Sequence, residues 1–203
     1  VSVFDDTDGG AQIYAGPIAV LVNLASASAS EIYSAAIQDY ERGIIIGSTT
    51  TGKGTAQVQL DTLAHGQATL TQRKFYRITG GSTQNKGVIP DIKLVDIYNE
   101  EFGERKAKNA LKWDTIPTAP FKREGSVQPY VQNLAQLSQQ RVVNDPQFKY
   151  LEQRKAIAKK TDEQKRVVLD IDQRKAELNA LEQQTLESEN QRRAVTGQKP
   201  YAN

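Results

Sequence analysis

Residues 23–57 read NLASASASEIYSAAIQDYERGIIIGSTTTGKGTAQ, and this stretch decides the fold. It opens on a run of alternating alanine and serine, Ala25 to Ser30, and closes on a lysine between two glycines, Gly52-Lys53-Gly54. Upstream, Ile18-Ala19-Val20-Leu21-Val22 is a continuous apolar run, of the kind a sheet buries on both faces. Ser28-x-x-Glu31 fits a capping box and predicts a helix start. Ile32, Ala35, Ala36 and Tyr40 recur at helical spacing as a buried stripe, Asp39, Glu41 and Arg42 are left to solvent, and Gly43 is the expected stop. Ile44-Ile45-Ile46 then predicts a second buried strand. Strand, helix and strand in that order predict an α/β unit, with chemistry displayed where the first strand meets the helix.

Beyond Lys53, Ala56 to Leu60 alternates with period two and predicts a strand with one wet face. Asp61–Gln67 is a turn carrying the single histidine, His65, which no neighbouring acid orients, so a surface role is expected. Ala68–Ile78 reads as a further strand, broken by Gly80-Gly81, and Gly87–Ile92 closes the domain. Before the first apolar run, Val1–Phe4 is strand-like and Asp5–Gly10 is an acidic turn whose spacing does not match an EF-hand loop.

After Val95 the composition changes. Residues 1–98 carry seven bases against nine acids, residues 99–203 nineteen against fifteen, and no glycine lies between Gly125 and Gly197. The pattern predicts two units, residues 1–97 as an α/β core and residues 98–203 as an all-α region. Pro117, Pro120 and Pro129 interrupt Asn99–Tyr130, a set of short helices and a wrapping segment around Trp113. Phe148 to about Val195 reads as one or two long helices, with Val167, Ile171, Leu178, Leu181 and Leu186 as their apolar stripe. Arg174 and Thr185 break the heptad, so a helical hairpin fits better than a long coiled coil.

The net charge of +2 is too small to argue for nucleic acid or an anionic membrane. The chain lacks cysteine, which excludes a thiol nucleophile, and one histidine excludes a multi-histidine metal site made by this chain alone. No apolar run approaches the ~18–20 residues of a membrane span. No metal or other cofactor is expected.

Two chemistries fit the opening stretch. In the first, Ser28 is a nucleophile and Lys53 its base, a known variant of the serine–histidine–aspartate arrangement. A lysine amine must be neutral to accept the proton. Against a reference pKa of ~10.4 that costs roughly 4–5 kcal/mol at pH 7, and burial can lower a lysine pKa by up to ~3–5 units. The flanking glycines let the lysine backbone approach other chain closely, Gln57 could orient the amine, and the N–H of Ala29 at the helix start could help hold an oxyanion. A plain cap for Ser28, with Glu31 as its capping-box acid, and a loop lysine at position 53 fit the same residues. In the second chemistry, Gly47 to Lys53 matches G-x-x-x-x-G-K and forms a phosphate-binding loop. That motif needs a hydroxyl where Gly54 stands and a helix where a period-two segment follows. A non-catalytic reading also stands, in which the charged half is a helical docking or scaffold module on an inactive core.

The segments SASASEIYSAAIQDYERGIIIG, TGKGTAQ, KFYRITGGSTQNKGVIPDI and KNALKWDTIP together resemble the carboxyl-terminal processing peptidases, specifically the periplasmic tail-specific protease branch of Gram-negative bacteria. The resemblance implies a crotonase-like α/β core and a serine endopeptidase acting on proteins recognised by apolar C-terminal tails. It places the nucleophile on Ser28, the general base on Lys53, the supporting glutamine on Gln57 and the acid after the serine run on Glu31. A periplasmic or cell-envelope location is also implied; the broken heptad, not the resemblance, leaves the long helices to pack on the first domain or on a protein partner. The family's PDZ domain and the glycine-rich turn giving a second oxyanion donor are upstream features. This stretch by itself is therefore expected to be inactive.

Overall fold

The computed structural model describes residues 14–60, 63, 65–98 and 103–201. The readings of Val1–Phe4 and Asp5–Gly10 lie outside these, as does part of the Asp61–Gln67 turn. The order is β1 (Ala19–Val22), α1 (Ala29–Asp39), β2 (Ile44–Gly47), β3 (Thr55–Leu60), β4 (Ala68–Lys74), β5 (Ile92–Lys93), a 3-10 turn (Glu104–Lys106), α2 (Gln128–Asn144), α3 (Pro146–Glu163) and α4 (Ile171–Val195).

β1, β2 and β5 form a parallel sheet with β2 in the middle, Val20 opposite Ile45 and Ile46 opposite Ile92. Parallel neighbours need a crossover, and α1 supplies it between β1 and β2. β3 and β4 form a separate antiparallel pair, with a register shift between Ala56 and Gln57. Val22, Ala35, Ile45 and Val88 make the apolar core, and Ile45 and Val88 are fully buried. Gly87–Ile92 contributes buried Val88 and Ile92. The side chain of Asp91 adds a polar brace, accepting from Ile45 N (2.7 Å) and from Gln38 Nε2 of α1 (2.8 Å).

Several expectations are corrected. β1 is not buried on both faces: Val22 points into the core, but Leu21 is 76% exposed. α1 is turned relative to its apolar spacing. Of the stripe only Ala35 is buried, Ile32 and Tyr33 face outward, and the inward residues are Glu31 and Ser34. The reason is polar: Glu31 collects hydrogen bonds inside, and Ser34 Oγ donates to Ser30 O (2.7 Å). Nor do Asp39, Glu41 and Arg42 simply face solvent. Asp39 takes a two-pronged contact from Arg77 (2.9 and 2.5 Å), Glu41 is 8% exposed and pairs with Arg123 (3.0 Å), and Arg42 donates to Tyr14 O and Gly16 O. The helix ends before Gly43. Tyr40 is its C-cap, and Glu41 takes the left-handed conformation (φ 52°) that glycine usually fills. The fourth predicted strand is shorter than Ala68–Ile78: it ends at Lys74, and Tyr76 makes only an isolated bridge to Ser82.

Trp113 does anchor the segment after the core. Its indole N–H donates to Ser82 O (2.8 Å), and the Lys86 ammonium lies 3.2 Å from its ring centre. α2 was not read from the sequence. Pro129 does not interrupt the chain but sits in the first turn of that helix, where its missing N–H costs nothing. From Gln128 onward every described regular element is helical. The long helices divide at residues 164–170, α3 being capped by Asp145 (accepting from Gln147 N, 2.7 Å) and α4 by Asp170. The stripe proposed to bury them is largely open, with Val167, Ile171 and Leu178 exposed. Polar contacts join the pair instead: Ser188 Oγ donates to Gln153 Oε1 (2.7 Å), and Arg192 lies over the Tyr150 ring.

Glu189 centres that junction. Hydrogen bonds from Arg192 above all, and from Tyr150 and Arg193, hold its carboxyl down at about 2, against a partial desolvation that pushes the other way. A carboxyl depressed by folding stabilises fully above its unfolded value near 4.5, and that stability is lost as pH falls through about 2. The α3–α4 pair should therefore lose thermal stability between about pH 4.5 and 2, followed by circular dichroism at 222 nm. Glu189→Gln should flatten that part of the pH profile.

Candidate active site

Chain leaving β1 turns sharply at the serine run. Ser30 N donates to Ala27 O (3.2 Å), closing a tight turn, and Ser28 occupies it at φ 56°, ψ −111°. These are the angles of the first central residue in a type II′ turn, a place for glycine. For a serine they cost about 1–3 kcal/mol, and such strain collects at functional sites. A strained strand-to-helix turn presenting a serine is also the geometry of the nucleophile elbow, here without its G-x-S-x-G pattern. The capping box is present, with Glu31 Oε2 accepting from Ser28 N (3.0 Å). Ser28 stands at the N-cap, and Glu31 N also donates to the Ser28 carbonyl (2.9 Å). Among the described residues the Ala29 N–H has no hydrogen-bond partner, and Ser28 is half-buried.

Glu31 is the centre of the arrangement. Fully buried, its carboxyl receives four donors: Oε1 accepts from Gly52 N (2.7 Å) and the Thr50 hydroxyl, and Oε2 from Lys53 N (2.8 Å) and Ser28 N (3.0 Å). One oxygen thus holds the backbone of both Ser28 and Lys53. Thr50 is itself fixed, its Oγ1 accepting from Val88 N (2.7 Å), so its proton is directed at Glu31. Two further bonds strap the loop to the serine run, Thr51 N to Ser26 O (3.0 Å) and Thr51 Oγ1 to Leu24 O (2.6 Å).

The glycines beside Lys53 do what their lack of side chains suggested. Gly52 (φ 87°) and Gly54 pack on the backbone of Gln84 and Asn85, and a Cβ on Gly54 would sit 2.5 Å from Gln84 N. Gln84, fully buried, accepts from Gly54 N (2.9 Å) and donates to Glu104 (2.9 Å), while Asn85 N donates to Gly52 O (2.9 Å). On the far side Asp96 accepts from Leu24 N (2.9 Å) and from the Ser48 hydroxyl. Thr50, Gln84 and Asp96 were not foreseen. Nothing in their spacing marks them, since their partners lie 19 to 72 residues away.

Lys53 is half-buried, and among the described residues its amine makes no hydrogen bond or ion pair. Gln57 does not orient that amine here: it is exposed on β3 and donates to Thr71 Oγ1 of β4 at 3.4 Å. His65 is exposed. The phosphate-loop reading fails on geometry, because a strand follows the lysine where a helix is required, and the Gly52 and Lys53 amides already hold the Glu31 carboxyl.

Glu31→Ala would strand three backbone donors, one buried and two partly so, and the Thr50 hydroxyl. It should lower unfolding stability by about 3 kcal/mol or more, measured by urea denaturation. Gly54→Ala should destabilise comparably, since the atom in its way is backbone that cannot swing aside.

A family model described as the C-terminal domain of tail specific protease matches residues 97–203, and one described as Peptidase family S41 matches residues 2–94. The tail-specific protease of Haemophilus influenzae is 39% identical over 98% of this chain and 30% of its own length. The carboxy-terminal-processing protease of Bartonella bacilliformis is 45% identical over 42% of this chain and 20% of its own. Among solved structures, the photosystem II D1 C-terminal processing protease shares 40% identity over 39% of this chain and 21% of its own, with a TM-score of 0.37. The chain thus spans under a third of the length of these curated relatives. On the match over residues 97–203 and the identity along nearly its whole length, the chain belongs to the tail-specific protease family.

Proposed function

We propose that this chain supplies the nucleophile and base of a serine endopeptidase, Ser28 and Lys53, to a longer protein that cleaves proteins held by their C-terminal tails. One observation carries the reading: a single buried oxygen, Glu31 Oε2, takes the backbone N–H of both residues and fixes their separation. The strained turn at Ser28 supports it, since neither the helix nor the core needs a serine held at positive φ.

The steps follow from these groups. Ser28 Oγ attacks the peptide carbonyl carbon while its proton passes to the amine of Lys53. The oxyanion that forms accepts from the free N–H of Ala29, at the positive end of α1. Lys53 returns the proton to the departing amine, and water then releases the acyl group by the same route in reverse. Gln57, the third residue of β3, supports the amine once it leaves its long contact to Thr71. Glu31 acts through the backbone and touches no reacting atom. The core is read as crotonase-like, the substrate tails as apolar and the location as the cell envelope, on the family resemblance. No helix among the described residues is long and apolar enough to cross a membrane.

In the longer protein, Ser28→Ala or Lys53→Ala should each reduce turnover of a tailed substrate at least a thousandfold while leaving its binding intact. Substantial residual turnover in either variant would overturn the assignment. Ser28→Gly separates catalysis from stability: it should be equally inactive yet more stable by about 1–3 kcal/mol, because glycine relieves the strained φ. Thermal denaturation of the two Ser28 variants side by side reads this.

A further inference from the structure

The end of α4 carries a feature that proteolysis at Ser28 does not use. Gly197, at φ 70°, reverses the chain in a Schellman cap, with Gln198 N donating to Arg193 O (2.8 Å) and Gly197 N to Ala194 O (3.3 Å). Residues 198–201 then run back along α4. Arg193 Nη1 donates to Lys199 O (2.8 Å), Asn190 Oδ1 accepts from Tyr201 N (2.7 Å) and Asn190 Nδ2 donates to Tyr201 O (3.2 Å). One asparagine amide thus reads both backbone groups of a single residue, as a neighbouring strand would. The Tyr201 ring lies 3.5 Å from the Arg193 guanidinium, which Glu189 holds in place (3.1 Å). Tyr201 forms the lip of an open cleft between α3 and α4, lined further by Tyr150, Arg154, Leu181, Leu186 and Glu189.

Most hydrogen bonds to the segment go to its backbone, and its side chains are read at the tyrosine ring and by one long contact, Arg192 Nη2 donating to Gln198 Oε1 (3.4 Å). That is how a groove binds extended peptide of loosely defined sequence: main-chain pairing for affinity and one aromatic anchor for specificity. We propose that the α3–α4 cleft is a peptide-binding groove for an extended protein segment bearing an aromatic residue, and that residues 198–201 occupy its lip in cis. The inference does not rest on the assignment of Ser28 and Lys53. With only Thr196 and Gly197 between helix and segment, the tethered occupant has an effective concentration of millimolar order, enough to exclude a weak competitor.

The test uses the whole chain and a fluorescein-labelled peptide of residues 198–203, read by anisotropy. Tyr201→Ala should bind the peptide at least tenfold more tightly than the unaltered chain, and adding Asn190→Ala should erase the gain. A peptide with its tyrosine replaced by alanine should not bind. Gly197→Ala loosens the reversal through φ strain alone, since its Cβ would meet nothing within 4 Å, and should shift affinity the same way should Tyr201→Ala unfold α4. Equal binding by altered and unaltered chains, or a gain that survives Asn190→Ala, would overturn the groove and leave residues 198–201 a plain structural latch.

Discussion

Four donors converge on the buried carboxyl of Glu31, and the α/β part of the chain is arranged so that they can. A buried acid without partners would cost several kcal/mol, so removing any one segment from around it is expensive. The donors come from the turn before α1 and from the loop after β2, which parallel pairing of β1 with β2 brings side by side. Glycine at 52 and 54 lets the loop lie flat on residues 84–85, and that contact aims the Gly52 and Lys53 amides inward. Many loops of this look wrap an anion from solvent; this one wraps an anion-shaped group from its own helix.

The same requirement explains why α1 sits as it does. A helix normally turns its apolar stripe to the sheet. Here Glu31 must face inward, and Ser34, one turn on, follows it, so Ile32 and Tyr33 are carried outward. Burying Ile32 in their place would gain roughly 2 kcal/mol, less than the loss of Glu31's hydrogen bonds. Polar satisfaction therefore sets the rotation of the helix, and apolar burial accommodates it.

Much of the α/β order was legible. Two apolar runs flanking a helical spacing marked β1, α1 and β2, and strict alternation marked β3, because each is a local pattern repeated over several residues. The position of Ser28 and Lys53 at chain reversals could be read from small residues beside them. Three things were hidden. Serine's positive φ is imposed by the four-donor cluster and leaves no mark in composition. The inward face of α1 depends on partners about twenty residues away. α2 escaped because its glutamine-rich sequence gives little periodicity and Pro129 looked like a break rather than a first turn. The division between α3 and α4 was ambiguous for a related reason: Val167 to Ile171 is apolar enough to continue a helix, and only Asp170, as a cap, marks the restart.

The cluster around Glu31 also couples chemistry to the order of folding. Its donors are 19 to 22 residues from the acid, apart from Ser28, and Asp96 closes the same region from 48 and 72 residues away. Contacts of that span are entropically late, formed after local helix and turn. A strained serine turn cannot persist in a half-folded chain, since nothing there offsets its cost. In the proposed protease the reactive geometry would then appear only when the fold is complete, so incomplete folding would act as its own inhibitor.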